Sequence, residues 1–273
     1  MKQTKPKPKK NLFLNILLVI CVMGVLISAY MIFLQIQEAG QGNAVYDEVR
    51  ELAPASDAAP QESLKPEGIE SQGYVFPDFE ALLARNSDTV GWINIPNTVI
   101  SYPVMQAADN DFYLYKDFNK DYLKQGSVFA SYQNRTDPLD QNMVLYGHNM
   151  GYGRSEMFST LVEYKTQAYF RQHPVIQFDT PAGSGLWEIA AVYQYDVREL
   201  EQYNFAQSQF VSEQEFLSFA QQAQSRSLYQ TGVEIREGDR LLTLSTCDRT
   251  YGGENGRLIV VAVLRDGTLA GRE

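Results

Sequence analysis

Cysteine and histidine are scarce in this chain, with two of each in 273 residues. Cys21 lies in an apolar run and Cys247 in "LLTLSTCDRTYGG", so there is no disulfide framework to read. One thiol and two separated histidines, His148 and His173, give no zinc-ligand spacing, and H-E-x-x-H is missing. No G-x-S-x-G elbow and no phosphate loop appear, and no acidic cluster compels a calcium site, so neither a metal nor a cofactor is expected. Basic residues are also short, 23 against 33 acidic ones for a net charge of −10. That balance argues against nucleic acid as a partner.

Charge is missing altogether from residues 11–34, "NLFLNILLVICVMGVLISAYMIFL". As a helix they would extend about 36 Å, enough to cross a hydrocarbon core of about 30 Å. A cleaved signal peptide would carry a shorter apolar region and a small-x-small cleavage site. Residues 1–10 hold five lysines, while Glu38, Asp47, Glu48 and Glu51 follow the run. The expectation is a single-pass helix in the cell membrane, N-terminus cytoplasmic and the rest extracellular. Without those lysines, 18 basic residues face 33 acidic ones, so the exported part carries −15.

Residues 35–73 read as a stalk, rich in Ala, Glu, Pro, Ser and Gln and interrupted by Pro54, Pro60 and Pro66. Its first part, "NAVYDEVREL", has Val45, Val49 and Leu52 at helical spacing, and either continues the membrane helix or forms its own. From 74 to 273 the pattern is that of a folded domain, mainly β with helices. Asp78 caps a short amphipathic helix in "PDFEALLARN". Strand-like runs follow at "VGWINIP", "TVISYPVM", "GSVFASY" and "NMVLYGHNM", then a helical stretch over 155–174 closed by Pro174. Strands "VIQFDT" and "GLWEIAAVYQYD" precede a helical insertion around 205–227, with cap Ser212 and with Phe210, Phe216, Leu217 and Phe219 near one face. The last strands, "RLLTLSTCD" and "RLIVVAVLRD", are apolar enough to be covered on both faces.

Cys247 has no partner thiol in its compartment; it is either buried and inert, as free cysteine often is, or it does chemistry. Its place at a strand end bordered by polar and glycine residues favours chemistry. A cysteine attacks carbonyls as its thiolate and needs a proton-transfer partner and donors for the oxyanion. His148, in the turn after a strand, is the better candidate; His173, at a helix end before Pro174, reads as structural. Arg257 opens the strand after "TYGGENG": by spacing alone it is either a solvated strand-end arginine or, through hairpin-like pairing, a guanidinium returned beside the thiol. Asp248 points to the opposite strand face and reads as a structural acid, whereas Ser245 shares the parity of Cys247.

"TLSTC", with Arg257 ten positions later in "NGRLIVVAVL" and His148 upstream in "LYGHN", resembles the sortase family, and more narrowly its class B members, over about residues 74–266. The resemblance implies a closed β-barrel of eight strands with an N-terminal helix and a helical insertion before the cysteine strand, anchored in a Gram-positive-type cell. It implies a cysteine transpeptidase acting on secreted proteins that bear a C-terminal sorting signal. Cys247 would attack the threonine carbonyl, His148 protonate the leaving amine, and Arg257 orient the substrate and stabilise the oxyanion. The thioester keeps the acyl group activated until an amine of peptidoglycan displaces it. Asn110 and Leu114 resemble cleft-lining positions, Asn110 as an orienting partner for His148, and Ser245 joins them as a substrate contact.

A pilus-assembling relative would use a pilin lysine as acceptor, and the sequence does not separate the two, although no Asp-Pro-x lid with an aromatic anchor stands in the stalk. Membrane-tethered cysteine hydrolases of the papain kind place cysteine before histidine, the reverse of the order here. A non-catalytic peptide-binding barrel would leave Cys247 incidental.

Overall fold

Short runs of apolar residues bounded by turns yield eight strands that close on themselves in the computed structural model, which describes residues 12–52, 76–151, 153–267 and 269. They are β1 (Thr89–Asn94), β2 (Ser101–Met105), β3 (Val128–Ala130), β4 (Asn142–Tyr146), β5 (Val175–Asp179), β6 (Leu186–Asp196), β7 (Leu241–Cys247) and β8 (Gly256–Asp266). Around the barrel the order is β1-β2-β3-β4-β7-β8-β6-β5, with β2–β3 and β4–β7 parallel and every other neighbour antiparallel. Closure leaves no barrel edge unpaired.

The alternation along β7 and β8 sorts two apolar layers. Leu242, Leu244, Leu258, Val260 and Ala262 join the interior core, whereas Leu241, Ile259, Val261 and Val263 face outward into a second cluster. That outer layer is covered by α4 (Glu213–Arg226), started by Ser212, whose side chain accepts from the Glu215 N–H. Phe216, Phe219, Ala220 and Ala223 form its buried face, while Leu217, expected among them, is 37% exposed. At a spacing of three and four residues the buried face runs through 216, 219, 220 and 223, and Leu217 falls to its side. This coat explains why the last strands are apolar on both faces.

Asp78 caps α2 (Phe79–Arg85) by accepting from the Ala81 N–H at 3.0 Å. The stretch over 155–174 divides into a 3₁₀ turn, Ser159–Lys165, and α3 (Gln167–Gln172). The first helix, α1, spans Leu12–Leu52, and the chain divides into two compact units, one ending at Gly42 and the other beginning at Asn43. In the first, Leu14–Leu34 is long and apolar enough to cross a membrane. In the second, Tyr46 and Val49 belong to the barrel's core cluster. Residues 43–52, expected in the stalk, are therefore helical and packed, because Tyr46 and Val49 lie on one helix face and find apolar cover there. The rest of the stalk, 53–73, and the basic tail 1–10 lie outside the described residues.

Candidate active site

The hairpin between β7 and β8 sets the first contact. Cys247, the last residue of β7, is the register partner of Arg257, the second residue of β8. The connection works because Gly252 takes a left-handed φ of 69° and because Gly256 lies so close to the Tyr251 carbonyl oxygen that a Cβ would run into it. Asp248 N–H then bonds to the Gly256 carbonyl at 3.0 Å, closing the hairpin just beyond the thiol. Arg257 donates through Nη1 to the carbonyls of Glu254 and Gly256, at 2.8 and 2.9 Å, leaving Nε and Nη2 for a substrate oxygen.

On the other side of β7, parallel pairing with β4 ends at Tyr146 opposite Ser245. Three hydrogen bonds extend this seam past the strand ends: Gly147 N–H to the Ser245 carbonyl (3.3 Å), Thr246 hydroxyl to the Gly147 carbonyl (2.7 Å), and Asn149 Nδ2 to the Cys247 carbonyl (2.8 Å). The turn carrying His148 is thus fastened alongside the last three residues of β7. Tyr146 and His148 have the outward parity in β4 and its extension, as Cys247 and Arg257 have in theirs, so the three side chains share the outer face at one end of the barrel. Cys247, His148 and Arg257 are all half-buried, so none of the three residues is sealed in the wall.

The His148 Nε2 lies 2.8 Å from the Leu114 carbonyl oxygen. A carbonyl only accepts, so Nε2 carries the proton in the neutral ring and Nδ1 is left to exchange one with a reacting group. Burial pushes the imidazole below its ordinary value of 6.5, the Leu114 carbonyl acts in the opposite direction, and the Arg249 guanidinium adds to the lowering. At neutral pH the ring is uncharged and receptive to a proton. Burial pushes the neighbouring Tyr146 phenol up to about 12 against the opposing effects of Ser131 and Arg257, so it remains a neutral donor.

The remaining expected contacts fall out differently. Asn110 accepts through Oδ1 from the Tyr132 N–H at 3.0 Å, and the imidazole is oriented by the main chain of Leu114 instead. Ser245 shares the face of Cys247 but is only 3% exposed, enclosed between its register partners Tyr146 and Ile259. Asp248 is buried on the interior side and hydrogen-bonded by Thr250 (2.6 Å), Gln194 (2.8 Å) and Lys165 (3.2 Å). Burial alone would push its carboxyl up, but those donors hold it below its ordinary value. Asn149 was not singled out in the sequence; its signal is an Asn two residues before Gly151, whose N–H the side chain captures at 2.9 Å. Among the described residues no group of three or more His, Cys, Asp or Glu side chains is arranged to hold a metal ion.

A half-buried cysteine paired in register with an arginine and bordered by the turn of a neutral histidine suits acyl transfer through a thioester. Comparison with known proteins agrees. The sortase domain family model matches residues 93–265, from β1 to the end of β8. Sortase B of Staphylococcus aureus is 30% identical over 250 residues, covering 92% of this chain and 96% of that protein. A Staphylococcus aureus sortase B–substrate complex superposes with a TM-score of 0.70 at 29% identity, over 84% of this chain and 99% of the other. A sortase B complexed with triglycine gives 0.63 at 31% identity, over 69% and 85% of the two chains. With a family model spanning the barrel and a relative aligned along nearly its whole length, the chain belongs to the sortase family of cysteine transpeptidases, in class B.

Proposed function

We propose that this protein cleaves the C-terminal sorting signal of secreted proteins after a threonine and joins the freed carbonyl to an amine of peptidoglycan, anchoring its substrates in the cell wall. In this reading the Cys247 sulfur attacks the threonine carbonyl carbon while His148 takes the thiol proton. Arg257 faces the oxyanion of the tetrahedral intermediate. Collapse breaks the peptide C–N bond, His148 passes its proton to the departing amine, and the acyl group remains as a thioester on Cys247. The acceptor amine then attacks the thioester, the imidazole takes its proton, and the sulfur leaves as thiolate and recovers that proton from the imidazolium. One amide is broken and one made, so no external energy source is required.

The observation that carries this reading is the pairing of Cys247 with Arg257 on β8, with the His148 turn fastened along the opposite side of the same strand end. The relative solved with substrate supports a sorting-signal substrate, and the one holding triglycine supports a glycine amine as acceptor. Residues 1–10 stay in the cytoplasm, 11–34 cross the cell membrane and the catalytic barrel acts outside; the lysine-rich tail and the uncharged Leu14–Leu34 helix support that topology.

The test is to incubate full-length protein in detergent micelles with a panel of sorting-signal peptides and either triglycine or a lysine-bearing pilin peptide, and to identify the products by mass spectrometry. A threonyl–triglycine ligation product is expected. Exclusive ligation to the lysine side chain would assign pilus assembly instead, and hydrolysis unaffected by either amine would overturn transpeptidation.

A further inference from the structure

The last two turns of α1 make contacts that the transpeptidation steps do not use. Tyr46 is 1% exposed, and its hydroxyl donates to the Gly126 carbonyl at 2.8 Å and lies 2.8 Å from Ser127 Oγ. Burial holds this phenol far from ionisation, so it remains a donor. Residues 126 and 127 are in turn laid against the segment that orients the imidazole. Ser127 donates through its N–H to the Tyr113 carbonyl (3.0 Å) and through its hydroxyl to the Lys116 carbonyl (2.7 Å). Gly126, at φ 56°, approaches the Leu114 carbonyl oxygen so closely that a Cβ would run into it. That oxygen is the partner of His148 Nε2.

A second route leaves the same helix one turn later. Arg50 donates through Nε to the Ser101 carbonyl at 3.0 Å and sets its guanidinium 4.8 Å above the Tyr102 ring, which also meets the Tyr46 ring edge-on at 5.5 Å. The Tyr102 hydroxyl accepts from the Met157 N–H at 3.2 Å. Met157 forms a β-bridge with Asn149, and the next residue, Phe158, donates its N–H to the His148 carbonyl at 3.0 Å. The imidazole's acceptor and the main chain of its turn are therefore both traced to one short stretch of helix, far from them in sequence.

We propose that Tyr46 and Arg50 are positioning residues for His148, bracing from one helix end the two backbone segments that fix the ring and its turn. This rests on the reading of His148 as the proton-transfer group. The helix end thereby acts on the imidazole through the main chain, and a barrel lacking residues 43–52 would carry the three reactive side chains with a loosened imidazole.

The experiment uses full-length protein in detergent micelles and follows kcat, KM and the ring resonances of the two histidines by NMR. Tyr46→Phe keeps the ring and removes the donor; it is expected to lower kcat roughly tenfold with KM for the peptide unchanged, and to move the His148 signal while that of His173 stays. Arg50→Gln is expected to act in the same direction with a smaller drop. Glu48→Gln, which cuts the helix's exposed ion pair to Arg85, is expected to change neither readout. Wild-type kcat and an unmoved His148 signal in Tyr46→Phe would overturn the proposal, as would an equal loss in Glu48→Gln or displacement of both histidine signals together. His148→Ala separates the two readings: if it turned over normally, the proton-transfer role would fall, whereas the brace would still be decided by the His148 resonance in Tyr46→Phe.

Discussion

The two histidines occupy similar surroundings, yet only His148 is proposed to take part in the chemistry. Each has a ring nitrogen near a main-chain carbonyl, His148 Nε2 at 2.8 Å from Leu114 and His173 Nδ1 at 3.1 Å from Pro96. Each lies against a tyrosine ring, Tyr115 at 5.7 Å and Tyr169 at 4.5 Å between centroids. Each is half-buried. His173, however, closes α3, its N–H bonding back to Tyr169 and Phe170 and its carbonyl accepting from the Tyr164 hydroxyl. His148 sits in a turn stitched to the end of the cysteine strand. Local partners do not distinguish the two imidazoles; the element each one terminates, and what that element lies beside, do.

The sharpest way to break this comparison is to remove each ring in turn. His148→Ala is expected to lower turnover roughly 10³-fold, and His173→Ala to leave turnover unchanged while lowering stability, as measured by steady-state peptide cleavage and urea unfolding. Equal losses in both would erase the distinction. Next in size, Arg257→Gln removes the guanidinium fork while keeping a polar side chain, and a fall of about 10²-fold in kcat is expected. An unchanged melting temperature would show that the loss is chemical.

The contrast between the two strand faces is tested on Asp248, next to the proposed nucleophile yet interior. Asp248→Ala leaves Gln194 without its acceptor and Lys165 with the Thr250 hydroxyl alone, and is expected to destabilise the fold by about 3 kcal/mol in denaturant titrations. The folded-state carboxyl lies below its ordinary value of 3.8. Its contribution is thus fully present above that value and lost as pH falls through the folded one, so the wild type should lose its advantage over the variant only in acid. The smallest effect is a shift in profile: because the His148 imidazole titrates below 6.5, the acid limb of kcat/KM should fall below that pH, since protonation there removes the base that accepts the thiol proton. A limb above 6.5 would mean that another group is being read.

Much of this was legible in the chain. The strands and the helices after Asp78 and Ser212 follow from apolar periodicity and capping chemistry, and the glycines of "TYGGENG" announce the hairpin that pairs Cys247 with Arg257. What escaped is non-local. Nothing in "NAVYDEVREL" shows that Tyr46 and Val49 are covered by the barrel, because the partner of Tyr46 lies 80 residues away. Leu114, expected as a cleft-lining position, meets His148 through its main-chain carbonyl, which every residue has, so its side chain gives no sign of that contact, and the expected Asn110 is engaged by Tyr132 instead. Parity put Ser245 on the correct face, but exposure depends on the neighbouring strands that enclose it. Asn149 is visible only in retrospect, since its hydrogen bond to Cys247 spans 98 positions.

The most direct measurement is intact-protein and peptide-mapping mass spectrometry of the full-length chain quenched during turnover of a sorting-signal peptide. A mass increase equal to the acyl fragment, mapped to Cys247, released by hydroxylamine and absent in Cys247→Ala, is the expected result. Normal cleavage by Cys247→Ala, or an acyl group mapped to any other residue, would contradict the assignment of this thiol as the nucleophile.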